Sequence, residues 1–254
     1  MTESPYTRDY YLKGHPSYEA LRAAQIEREP LLRMLVDLSG VKPGEALVDL
    51  ACGRGEVAVY AAGRGARAVG VDQSIEAIRV AREVSALESS APGDAAFLIA
   101  DLGRLPFPGG RFNCGVFADV WEHLSPEGLS EALREAHRVL APGGRLVIHT
   151  WPNGWYCRFG HPLETAWLRL SGSDFRIANP AHLPGDPYHV SEPTPASVGR
   201  LLRRAGFRAR VWVESFSPPV PGGRLRRWCH RQAYLRRPGV LLFGRHILAV
   251  AIRT

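Results

Sequence analysis

An α/β fold built on a doubly wound, mostly parallel sheet with helices on both faces is what this sequence predicts, on three observations. Between residues 45 and 150, short apolar runs alternate with stretches of helical periodicity. The intervening helices are long enough to demand crossover connections, and crossovers make neighbouring strands parallel. The first apolar run also leads through a glycine-rich turn straight into a helix.

The elements follow in order. An N-terminal leader of helices is expected over 1–40, with helical spacing from Ser17 to Leu38 and a stop at "GVKPGE". "EALVDL" reads as a buried strand, the glycine turn follows, and "EVAVYAAGRG" reads as a helix. The alternation continues with "RAVGVD" as strand, "SIEAIRVAREV" as helix, and "AAFLIAD" and "RFNCGVFAD" as strands. "PEGLSEALREAHRVLAPGG" reads as a helix ending in a turn, and "RLVIHTW" as the next strand. Residues 151–193 break the pattern with prolines, glycines and aromatics, the composition of a lid or acceptor-binding insertion. "TPASVGRLLRRAGF" restores a helix with a Thr or Ser start and a glycine stop. "RARVWVES" and "RHILAVAIRT" supply the last strands, separated by an arginine-rich insertion over 216–244. One domain over 1–254 is expected.

Composition narrows the function class. Hydrophobic residues at 45% and charged residues at 22% belong to an ordinary globular chain. No apolar run suggests a membrane span and the start has no signal-peptide order, so a cytoplasmic protein is expected. Cys52, Cys114, Cys157 and Cys229 form neither a CxxC pair nor a His/Cys cluster; reduced thiols and no metal site are expected. The net charge of +7 is almost wholly arginine, since Lys13 and Lys42 are the only lysines. Its one dense cluster, Arg224, Arg226, Arg227, Arg231, Arg236 and Arg237, reads as a solvated helix face, with no nucleic-acid partner expected.

The stretch "VDLACGRGEVA" carries the chemistry. "GRGEVA" satisfies a dinucleotide fingerprint, but Asp49 stands where a pyrophosphate would be repelled by a carboxylate. A cationic cofactor suits it better. S-adenosylmethionine carries an ammonium and a sulfonium and no phosphate; Asp49 can attract the ammonium, while Gly53 and Gly55 admit close backbone approach. Asp72, ending the second strand, is placed for both ribose hydroxyls, and Asp101, ending the third, for the adenine amino group.

Taken together, "VDLACGRG", "VGVDQS", "ADLGRLPF", "FADVWEHL" and "LREAHRVLAPGGRLVI" resemble the class I S-adenosylmethionine-dependent methyltransferases across residues 45–150. The resemblance implies a seven-stranded sheet whose final strand is antiparallel. It further implies that Asp49, Ala51, Gly53 and Gly55 line the methionine end, Asp72 and Gln73 the ribose, Asp101 and Leu102 the adenine, and that Phe117 and Ala118 approach the methionine moiety. "RDYYL" is similar to an aromatic leader that folds over the cofactor, which would place Tyr10 or Tyr11 near the sulfonium.

Methyl transfer from a sulfonium is an in-line displacement, so alignment and exclusion of water dominate, and an oxygen acceptor also needs a base. His123, Asp119 and His189 are the candidates for that base. The expected acceptor is a small molecule, because the extra chain length lies in aromatic-rich segments bordering the cofactor loop. Three rivals stand beside this reading: methylation of RNA or another polyanion through the C-terminal arginines, a non-catalytic cofactor-binding subunit, and an NAD-binding protein.

Overall fold

In the computed structural model the described residues are 7–13, 30–87, 91–170, 190–216 and 239–254. His189, Cys229, the Arg224–Arg237 cluster and most of the expected leader therefore lie outside the described residues.

Seven strands form one sheet: β1 (Ala46–Leu50), β2 (Arg67–Asp72), β3 (Asp94–Ile99), β4 (Phe112–Ala118), β5 (Leu140–Thr150), β6 (Phe207–Glu214) and β7 (His246–Arg253). Their spatial order is β3-β2-β1-β4-β5-β7-β6. Parallel pairing runs from β3 through β5, and β7 is antiparallel to both β5 and β6. The strand order reverses beside β1, between its partners β2 and β4, which is where open parallel sheets place their ligands.

The period-two alternation of β1 divides the core. Ala46, Val48 and Leu50 join Leu129, Leu133, Ala136 and Leu202 on one face; Leu47 joins Val57, Ala58, Ile78 and Ala81 on the other. The first face is covered by α5 (Pro126–Val139) and α7 (Pro195–Arg204), the second by α2 (Pro30–Ser39), α3 (Glu56–Gly63) and α4 (Ile75–Ala86). Asp49 shares the parity of Leu47, so its carboxylate projects beneath α3.

Helix starts are chemically marked. The Ser74 side chain accepts from the Ala77 N–H, Ser125 from Gly128, and Thr194 from Ser197 in a reciprocal capping box. One boundary differs from expectation. "APGG" is not a turn preceding β5 but an irregular part of it: Phe112 pairs with Leu140, and the register then jumps to Cys114 opposite Arg145. Leu140, the C-cap of α5, is already extended at φ −72° and ψ 145°, so pairing begins at once and a bulge absorbs the extra residues.

Two segments frame the carboxyl edge of the sheet. Helix α1 (Arg8–Lys13) is pinned to α4 by an Arg8–Glu83 ion pair at 2.8 Å. After β5, buried Asn153 donates to the Leu241 and Gly244 carbonyls at 3.0 and 2.9 Å, tying the chain to α8 (Gly239–Phe243). A π-helical turn, Tyr156–Gly160, then runs directly into α6 (His161–Leu170).

Candidate functional site

The glycine loop owes its shape to backbone conformations at alternate positions. Ala51, Gly53 and Gly55 all lie in the left-handed region, at φ 57°, 48° and 76°. For Ala51 that conformation costs about 1 kcal/mol. Gly55 is held to glycine twice over, because a Cβ there would fall 2.5 Å from the Phe97 ring as well as carrying a positive φ. At Gly53 a Cβ would meet nothing nearer than the Tyr11 ring at 3.8 Å, so this stretch of backbone borders open space beneath an aromatic.

Asp72 fixes the loop. One carboxylate oxygen accepts the Gly53 N–H at 3.0 Å and the other the Ser74 N–H at 2.9 Å. Burial raises its pKa, and these backbone donors pull it back down. Gln73, next in sequence, is exposed.

Asp49 lies within β1, as the strand reading of "EALVDL" expects, as its penultimate residue paired with Gly70 and Val116. Its side chain is therefore only 3% exposed, and its Oδ2 has no hydrogen-bond partner. Burial, reinforced by Asp72 and Glu56, raises its pKa to about 7 despite a donor at the Ala58 backbone. Glu56 is neutralised by Arg54 at 2.7 Å, so the uncompensated carboxylate of this buried group is Asp49. Cys52 and Cys114 are small buried thiols whose pKa burial raises.

Asp101 follows β3 by two residues rather than ending it. It is exposed, accepts the Gly103 N–H at 2.8 Å and bridges to Arg104, with Leu102 half-buried beside it. Phe117 is buried and Ala118 half-buried at the end of β4.

The other half of the edge holds a cluster assembled from residues far apart in the chain. Asp119 leaves β4 in the left-handed conformation, φ 53°, with its side chain 51% exposed and Oδ1 2.8 Å from His149 Nδ1. His149 is buried at the end of β5, and its Nε2 lies 2.9 Å from His246 Nδ1 at the start of β7. The two imidazoles stack at 23°. Burial, with His149 and Arg245 nearby, holds the His246 pKa down to about 4, so the ring is neutral. Beneath them Glu122 is buried and accepts from the Thr150 hydroxyl at 2.7 Å. Burial and the neighbouring Asp119 raise the Glu122 pKa to about 7. His123 sits half-buried on the short 3-10 turn Trp121–His123, its N–H closing the turn onto Val120.

Of the three base candidates, Asp119 is thus joined to an imidazole pair, His123 stands on the adjoining turn, and His189 lies outside the described residues. His149 reads in sequence as an ordinary structural histidine, and His246 gives no signal at all. Only the antiparallel register of β5 and β7 brings them together.

A family model described as a methyltransferase domain matches residues 47–144. Among curated proteins, the chain is 37% identical over 194 residues to the demethylmenaquinone methyltransferase of Thermus thermophilus, covering 72% of this chain and 84% of that one. It is 32% identical over 119 residues to the ubiquinone/menaquinone biosynthesis C-methyltransferase of Pseudomonas paraeruginosa, covering 46% of this chain and 45% of that one. Solved structures share the fold. A methyltransferase from Methanosarcina mazei superposes with a TM-score of 0.60 at 17% identity, over 90% of this chain and 99% of that one. Magnesium protoporphyrin IX methyltransferase from Synechocystis, solved with bound SAH, gives 0.58 at 18% identity over 97% of both.

Proposed function

Given that the chain belongs to the class I S-adenosylmethionine-dependent methyltransferases, we propose that it methylates a small, quinol-type aromatic acceptor, with Asp119 taking the acceptor's hydroxyl proton and His149 holding Asp119 in place. The observation that carries this reading is the Asp119–His149–His246 chain at the carboxyl edge, one strand away from the glycine loop. The relatives' names supply the acceptor class, since those proteins act on demethylmenaquinone or in ubiquinone and menaquinone biosynthesis.

The residues fit the cofactor. The unpartnered Oδ2 of Asp49 suits a cationic group, directly or through water. Asp72 presents two carboxylate oxygens already oriented by backbone donors, the arrangement that a ribose diol requires. Ala51, Gly53 and Gly55 keep side chains out of the way, with Tyr11 closing the site from above. Gln73 extends the ribose side, Asp101 and Leu102 take the adenine, and Phe117 and Ala118 floor the methionine end. When bound, S-adenosylmethionine supplies an electrophilic methyl group on sulfur.

Asp119 is oriented by its backbone as much as by its partner, because the left-handed φ turns the carboxylate out of the sheet. His149 Nδ1 lies 2.8 Å from the Asp119 carboxylate, and the tautomer with a proton on His246 Nδ1 lets that N–H donate to His149 Nε2. His149 is a positioning residue here. A hydroxyl proton passes to the Asp119 carboxylate, leaving an oxyanion whose electrons activate the ring. His123 and His189 are second candidates for the same role. The described residues 151–170, 190–193 and 239–244 border the acceptor side of what we read as a single methyltransferase domain.

Incubation with labelled S-adenosylmethionine and reduced naphthoquinones should yield a methylated product. Asp119→Asn should lower kcat about a hundredfold with unchanged cofactor affinity. Methylation of no quinol, or an Asp119→Asn variant as active as the parent, would overturn the proposal.

A further inference from the structure

The segment after β5 is built inside out. A surface helix ordinarily buries an apolar stripe and exposes its polar face. In the run from Tyr156 through α6, Tyr156 and Glu164 turn their polar groups towards the protein, beside buried Cys157 and Leu168. The Tyr156 hydroxyl donates to Glu164 Oε2 at 2.6 Å, Arg245 approaches the same oxygen at 3.4 Å, and the Arg245 guanidinium lies 4.8 Å above the Tyr156 ring. Gly160 is pressed against the Leu242 carbonyl, where no Cβ fits. The outward side carries Phe159, Leu163, Trp167 and Leu170, which are 47, 54, 45 and 88% exposed. Their spacing of four, four and three residues places them in one row.

We propose that this row is a docking face for a bilayer surface bearing anionic lipids. Three features select that occupant over a protein partner. Arg158 and Arg169 are exposed beside the two ends of the row, suited to phosphate headgroups while Phe, Leu and Trp enter the acyl boundary. The only carboxylate between Trp155 and Leu170 is Glu164, and it is turned inward, so no acid of this segment faces an anionic surface. The chain as a whole carries +7. Among the described residues no helix is long and apolar enough to cross a membrane, so the contact is one of lying on the surface. The inward anchor sets where this face stands. Arg245, which fastens the segment through Glu164, immediately precedes His246 at the start of β7. The inference rests on the helix face and not on the identity of the acceptor.

The test is flotation of the full chain with phosphatidylcholine vesicles, with and without phosphatidylglycerol. Binding should require the anionic lipid. Leu163→Glu with Leu170→Glu should lower it tenfold or more, at unchanged thermal stability and unchanged cofactor affinity. Arg158→Gln with Arg169→Gln should lower it about fivefold or more. Three results would overturn the inference: no binding to either vesicle, binding indifferent to the leucine substitutions, or a parent chain that self-associates through this row and is made monomeric by those same substitutions.

Discussion

The two halves of the carboxyl edge are built by opposite means. On the proposed cofactor side, every group but Tyr11 comes from a strand end or from the loop immediately following it, and the loop is braced by a residue 19 positions away, through the Asp72 contact to Gly53. On the acceptor side, Asp119, His149 and His246 come from three strands, and the two imidazoles are 97 residues apart in the chain. The first half is a local motif and the second a product of tertiary register. The first should therefore fail through backbone geometry, and the second through loss of alignment with binding intact.

The largest expected effect tests the local half. Gly55→Ala should destabilise the protein by about 2–4 kcal/mol, because strain at positive φ adds to overlap with Phe97. Phe97→Leu in the same chain should recover part of that loss in a denaturant titration; equal stabilities for parent and Gly55→Ala would show that the loop is not so constrained. Next, Asp72→Ala should weaken cofactor binding by about 1.5–3 kcal/mol in calorimetry, roughly ten- to a hundredfold, and NAD should not bind. His149→Gln tests the other half. It should lower kcat about tenfold with cofactor affinity unchanged and should shift the acidic limb of the pH–rate profile, a displacement that a purely structural role would leave absent.

The smallest effect is a fraction of a proton. Because the Asp49 pKa is raised to about 7, the free protein near pH 6 holds that carboxyl mostly protonated. A bound cation favours the ionised form, so cofactor binding near pH 6 should release less than one proton, measured by calorimetry in buffers of different ionisation enthalpy, and none in Asp49→Asn. Stability follows the same sign. A carboxyl whose folded pKa exceeds its ordinary value contributes stability below about pH 4 that is lost as pH rises through about 7. Asp49→Asn should therefore melt higher than the parent above pH 7, with no gain below pH 4, while binding cofactor less well. His246 runs the other way: its depressed pKa contributes stability above about pH 6.5 that is lost as pH falls through about 4.

The sequence made the first half readable for the reason that makes it local. Alternation of β1 to β4 with helices, the glycine spacing, and the aspartates at or near three strand ends all depend on near neighbours. What it missed needed distance. The depth at which Asp49 lies follows from β1 pairing on both sides with helices packed over its face, which the run "EALVDL" alone does not report. His246 acquires meaning only once β7 is known to lie antiparallel beside β5, opposite the direction that a repeated crossover would give. The outward row on α6 escaped because Trp167 and its neighbours read equally well as core; what turns the helix over is Tyr156 and Glu164 reaching Arg245.

The reversed last strand carries a consequence for how such an enzyme diversifies. β6 finishes at the edge where β7 begins, with Glu214 opposite His246, so the joint between them leaves and re-enters the sheet beside the site. Length and composition can change in that joint without shifting the register of any strand that contacts the cofactor. If the proposed acceptor side is right, acceptor choice sits in an interchangeable cassette, and a graft of this joint between relatives should transfer selectivity while the shared methyl donor is recognised as before.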